Sequence, residues 1–141
     1  MPAIVNKYLR GSFNGWNLFL NNGNLCAWFY RSSSSYVSNS SGCPFNISGV
    51  NDGRWHHVVF VVDLFGGRIY VDGVRLGIIS WTGTAGAAST TQPVQIGRYP
   101  GAAGEAEYFP GLLDNVRIYN RALSGGEVSD LYMRESSTTR P

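Results

Sequence analysis

The stretch GWNLFLNNGNLCAWFY, residues 15–30, limits the fold more than any other part of the chain. Trp16, Leu18 and Leu20 alternate with Asn17 and Phe19, which is the period of a strand and not of a helix. Asn22 and Gly23 then supply two residues that tolerate positive φ, and a second apolar run starts at Leu25. Two such runs across an Asn-Gly pair specify a β-hairpin.

The pattern recurs along the chain. RWHHVVFVVD predicts a strand, LFGGRIYVDGVRLG carries turn signals at Gly66-Gly67 and Asp72-Gly73, and PVQIGRY and YFPGLLDNVRIYN predict two more strands. TGTAGAASTTQ and PGAAGEAE are surface connections by composition, and the serine-rich residues 31–49, broken by Tyr36 and Val37, form a long hairpin loop. Eighteen glycines with eight Tyr, seven Phe and four Trp suit strands and turns, so the class is all-β. One helix is signalled, in LSGGEVSDLY. There Ser124 caps the first turn, Glu127 closes a capping box, and Leu123 staples onto Val128. At 141 residues the chain has room for one domain with a real core. The expected organisation is a single domain over residues 1–135 and a polar tail over 136–141.

Several functions are disfavoured by composition. Ten arginines and the single Lys7 are scattered and not gathered into a stripe, and the net charge is only +2, which argues against nucleic acid as partner. No apolar run approaches the roughly 20 residues of a membrane span, and the first residues lack the pattern of a signal peptide. His56 and His57 are adjacent, so on a strand they face opposite ways and cannot ligate one metal together. They are expected to hydrogen-bond locally at the start of their strand. Asp52, Asp63 and Asp72 fall at predicted turns, while Glu127, Asp130 and Glu135 fall on or after the helix. Glu105 and Glu107 could share a face but lie in a small-residue loop, so no rigid carboxylate pair for glycoside hydrolysis emerges. With no phosphate loop or nucleophile elbow either, the expectation is a protein that is not an enzyme.

Four segments in order, DGRWHHVVFVVD, IYVDGVRLG, PVQIGR and YFPGLLDNVRIYNRALSGGEV, strongly resemble the laminin-G-like domains of the concanavalin A-like superfamily, from about Gly15 to Tyr132. The resemblance implies an antiparallel jelly-roll sandwich with one short C-terminal helix. Relatives carry further N-terminal strands ahead of the segment matched by AIVNKYLRGSFNGWNLFL. A sandwich without them leaves edges unpaired, which predicts a dimer or strand-swapped oligomer. Many relatives bind a structural calcium, and Asp114 lies where such jelly rolls often place a ligand; the alternative is that Asp114 only caps a turn.

In family terms Leu25, Ala27 and Phe29 face the core, so Cys26, Trp28 and Tyr30 face outwards. An outward Trp and Tyr make a flat platform for the apolar face of a sugar ring, with Arg31, Tyr36, Trp81 and Tyr99 as neighbours in or beside loops. The same side chains would equally suit the seam of a homo-oligomer. Trp16 and Trp55 are expected in the core. Cys26 and Cys43 flank the serine-rich excursion, and a disulfide between them, favoured over two unrelated thiols, implies an oxidising compartment. The expected function is a carbohydrate-binding or adhesion module of a secreted protein, with a glycan or glycoprotein as partner. The alternative is an assembly module with no small ligand.

Overall fold

In the computed structural model, residues 1–101 and 106–137 are described. The chain forms an all-β fold of antiparallel strands with one helix. β1 (Ala3–Tyr8), β2 (Gly15–Asn21), β3 (Asn24–Ser32) and β4 (Ser35–Val37) run as a meander, and β8 (Gln95–Ile96) adds to the free side of β1, giving the order β4-β3-β2-β1-β8. A second sheet holds β5 (Val58–Asp63), β6 (Gly66–Val71) and β7 (Val74–Ile79), and β9 (Arg98–Pro100) pairs with β10 (Ala106–Tyr108).

The hairpin signals act as their chemistry requires. Asn22 and Gly23 have φ of 50° and 81°, and Asp72 and Gly73 have 51° and 79°, the two consecutive positive angles of a type I′ turn. The Gly66-Gly67 signal is displaced: the turn is Leu64-Phe65, and Gly66 opens β6. A Cβ on Gly66, at φ 140°, would lie 2.0 Å from the Ile79 carbonyl oxygen, so this glycine serves close strand approach and not the turn itself.

Four further expectations change. β1 was not anticipated, although it is an interior strand of the first sheet, between β2 and β8. The serine-rich segment contains β4, because Ser32 and Ser35 pair across a tight turn and bring Tyr36 opposite Tyr30. PVQIGRY is not one strand: Gly97, at φ 69°, breaks it into β8 on the first sheet and β9 on the small one. Residues 109–122 form no strand despite their apolar alternation; Leu112 and Ile118 are exposed, since no neighbouring strand pairs with this backbone.

The helix α1 (Gly125–Ser136) starts as the sequence specifies. Ser124 accepts from the Glu127 N–H, Glu127 accepts from the Ser124 N–H, and Leu123 and Val128 are buried with Val61 and Tyr70. It runs on to Ser136, beyond the LSGGEVSDLY segment in which the sequence signals it. Arg117 and Asn115 both bind the Glu135 carboxylate, at 2.6 Å each, and tie down the last turn.

Apolar burial falls into three clusters. Leu18, Leu25 and Ala27 of the first sheet meet Ile69 and Val71 of the second. On the opposite face of the first sheet Tyr8, Phe19, Cys26 and Trp28 are covered by Cys43 and Tyr99. The helix caps the outer face of the second sheet. Both faces of the first sheet are therefore occupied.

Candidate functional site

Strand alternation places Cys26, Trp28 and Tyr30 on one face of β3 and Leu25, Ala27 and Phe29 on the other, and the sheet obeys it. Facing away from the second sheet does not leave these groups exposed. Trp28 is only 5 % exposed and cannot serve as a sugar platform, because Tyr8, Phe19 and the Cys43 and Tyr99 segments close over it. Tyr99 is not a loop residue but sits in β9 at 1 % exposure. Burial, with the nearby Tyr8 hydroxyl, pushes its phenol up to about 12.

What reaches the surface is the end of an aromatic chain. Trp28 lies 6.3 Å from Tyr30, Tyr30 lies 5.3 Å from Tyr36, and Phe13 packs edge-on to Tyr30 at 5.6 Å. Tyr30 and Tyr36 are half-buried and Phe13 is 45 % exposed. The three rings form an aromatic group at one edge of the first sheet. Phe13 was missed in the sequence because it sits in a loop at φ 49°, where no periodicity marks it.

The remaining expected neighbours lie elsewhere. Arg31 sits at an irregularity in the β3–β4 register, and its Nη1 donates to the Thr84 carbonyl. Trp81 packs against Phe29 at 5.6 Å and donates to the Asp63 carbonyl. Trp16 and Trp55 are not core residues. Trp16 is half-buried and Trp55 is 40 % exposed; both line an open apolar cleft of about 1070 Å³ beside β5, together with Val59, Val61 and Ile118.

Cys26 and Cys43 are joined as a disulfide, Cα atoms 5.0 Å apart, inside the aromatic cluster. The bond ties Cys43, in the segment between β4 and β5, to the centre of β3.

The histidines precede β5 instead of starting it. His56 Nδ1 lies 2.8 Å from Asp72 Oδ2 and Nε2 lies 3.0 Å from Asp52 Oδ1. A neutral imidazole can donate from only one nitrogen, so this geometry calls for the imidazolium. Burial works against that charge, but the hydrogen bonds to Asp72 and Asp52 outweigh it and raise the pKa. The cluster is a structural clamp between the 52–57 turn and the β6–β7 turn.

Other acids are tied to cations: Asp63 to Arg68, Glu127 to Arg121, Glu135 to Arg117. Asp114 accepts from the Asn115 N–H at 2.8 Å, and among the described residues no group of three or more His, Cys, Asp or Glu side chains is arranged to hold a metal ion. Glu105 lies outside the described residues.

With this geometry in place, sequence comparison identifies the family: residues 1–129 match the pattern of the laminin-G-like group in the concanavalin A-like lectin/glucanase superfamily. The chain belongs to that family. As a laminin-G-like domain it shares 28 % identity over 136 residues with a rat protein described as containing sushi, von Willebrand factor type A, EGF and pentraxin domains; the match spans 89 % of the chain but only 3 % of that protein. A structural match covers 94 % of the chain and 62 % of an S-layer domain-containing protein fragment from Clostridium thermocellum, at 21 % identity and a TM-score of 0.47. No described helix of this laminin-G-like domain is long and apolar enough to cross a membrane.

Proposed function

We propose that this domain is a non-catalytic recognition module that binds a glycan or glycoprotein through Phe13, Tyr30 and Tyr36. The observation that carries this reading is the group of three rings at the sheet edge, joined at 5.3 and 5.6 Å and backed by the buried Trp28. Tyrosines with a free hydroxyl and an apolar face suit a sugar ring, whose C–H face stacks while its hydroxyls are hydrogen-bonded. Arg–carboxylate pairing of Asp63, Glu127 and Glu135 leaves these acids poorly placed as a catalytic pair, which supports a binding role. The disulfide supports an extracellular or cell-surface setting, where such bonds persist.

A glycan array followed by calorimetric titration of the best hit tests the proposal. Tyr30→Ala and Tyr36→Ala should each weaken binding by up to about tenfold, the scale of one aromatic contact. Unchanged affinity in both variants, or no binder on the array, would remove the reading.

The open cleft favours a second reading, self-assembly. It is apolar, among the described residues no strand pairs with the outer edge of β5, and Leu64 and Phe65 are exposed at the turn that follows β5. A dimeric mass by light scattering, insensitive to Tyr36→Ala, would favour assembly through this side.

A further inference from the structure

One transverse row of the first sheet is polar where the rest of its face is aromatic. Gln95 pairs with Asn6, Asn6 with Asn17, and Asn17 with Trp28, so four adjacent strands place these residues side by side on one face. Asn6 and Asn17 are fully buried and Trp28 nearly so. Gln95 Oε1, Asn6 Oδ1, both polar atoms of the Asn17 amide and the Trp28 Nε1–H are all buried without a hydrogen-bond partner. Leaving such a group buried and unpaired is costly, and folded proteins leave very few of them. Five in one row, on register-paired residues, describe a built site.

We propose that Gln95, Asn6, Asn17 and Trp28 form a binding site for neutral hydroxyl oxygens. The chemistry selects the guest. Three amide oxygens face an anion unfavourably, and the donors on Trp28 and Asn17 face a cation unfavourably. Oxygens that both donate and accept, more than one along the row, satisfy such a mixed set of donors and acceptors. Those oxygens come either from internal waters or from the hydroxyls of a saccharide.

Tyr99 closes the row from β9, and β9 is attached to β1 through the Asn6 Nδ2 bond to the Arg98 carbonyl at 2.5 Å and the Gly97 N–H bond to the Ile4 carbonyl. The Met1 ammonium pairs with Glu107 on β10. Trp28 also touches Tyr30 of the surface aromatic group, so a sugar stacked there is next to the row. The saccharide source rests on the glycan reading above; the water source does not.

The test uses the isotope-labelled full chain, with the Trp28 indole N–H assigned by its loss in Trp28→Phe. Magnetisation transfer from water to that proton is measured, and glucose, galactose, mannose and N-acetylglucosamine are titrated separately. A long-lived water contact that no sugar displaces supports the site with water as guest, whatever the glycan array shows. A sugar that shifts the indole signal, and no longer does so in Asn17→Leu, supports the site with a saccharide as guest. Should Asn17→Leu fail to fold, Gln95→Leu at the less buried end of the row replaces it. An indole proton with neither a water contact nor a sugar response overturns the proposal.

Discussion

Cutting the Cys26–Cys43 bond isolates one energetic contribution of this fold. The bond closes a loop across 17 positions, and loop-closure entropy for that length amounts to about 3 kcal/mol at 25 °C. Reduction keeps both sulfurs in place, so the aromatic cluster around them stays filled and only the cross-link is lost. Unfolding entropy of about 2.1 cal/mol/K per residue gives roughly 0.3 kcal/mol/K for a chain of 141 residues. The midpoint should therefore fall by about 10 °C on reduction. The double variant Cys26→Ala/Cys43→Ala should fall further, because Cys26 is fully buried and Cys43 nearly so, and removing two packed sulfurs leaves a cavity. Calorimetry of the oxidised, reduced and double-variant proteins, with thiol counting to establish the redox state, makes the comparison. A reduced protein melting within about 2 °C of the oxidised one would refute the reasoning, since the loop would then be held without the bond.

Two further outcomes follow from the geometry. His56 has a raised folded pKa, so its clamp stabilises fully below the unfolded value of about 6.5 and is lost as pH rises through the folded value. Asp52, whose pKa is lowered first by the His56 hydrogen bond, loses its contribution only as pH falls through its own folded value. Thermal midpoints should decline from pH 6 to pH 8, and His56→Gln should flatten that decline; an equal slope in the variant would deny the clamp. Ser124→Ala removes the acceptor for the Glu127 N–H and should cost about 1 kcal/mol in denaturant unfolding, against no change if the cap were idle.

The sequence made strands legible wherever a residue type dictated backbone geometry. Asn22-Gly23 and Asp72-Gly73 could hardly be anything but hairpin turns, and Ser124 with Glu127 could hardly fail to start a helix. It was silent where the outcome depended on a distant partner. Residues 109–122 carry strand alternation, but alternation supplies no pairing strand, and among the described residues none forms with them. Face assignment along β3 was readable from parity, yet exposure was not, because nothing local says that Cys43 and Tyr99 fold back over Trp28. Of the six residues expected to form a binding surface, only Tyr30 and Tyr36 come together there. Phe13, which completes the group, comes from a loop. Asn6 and Asn17 looked like ordinary polar members of alternating strands; only register shows them buried side by side.

The place of β1 between β2 and β8 sets an order of events during synthesis. The β1–β4 meander can pair as soon as residue 37 has left the ribosome, but the other edge of β1 waits for Gln95 and Ile96. At about 5–20 residues per second that edge stays unpaired for several seconds. During this interval Val5 and Asn6 offer their backbone to any strand that passes, including the same segment of a neighbouring nascent chain. A chain made quickly, or at low density on its message, should therefore reach the native register more often than one made slowly in a crowd.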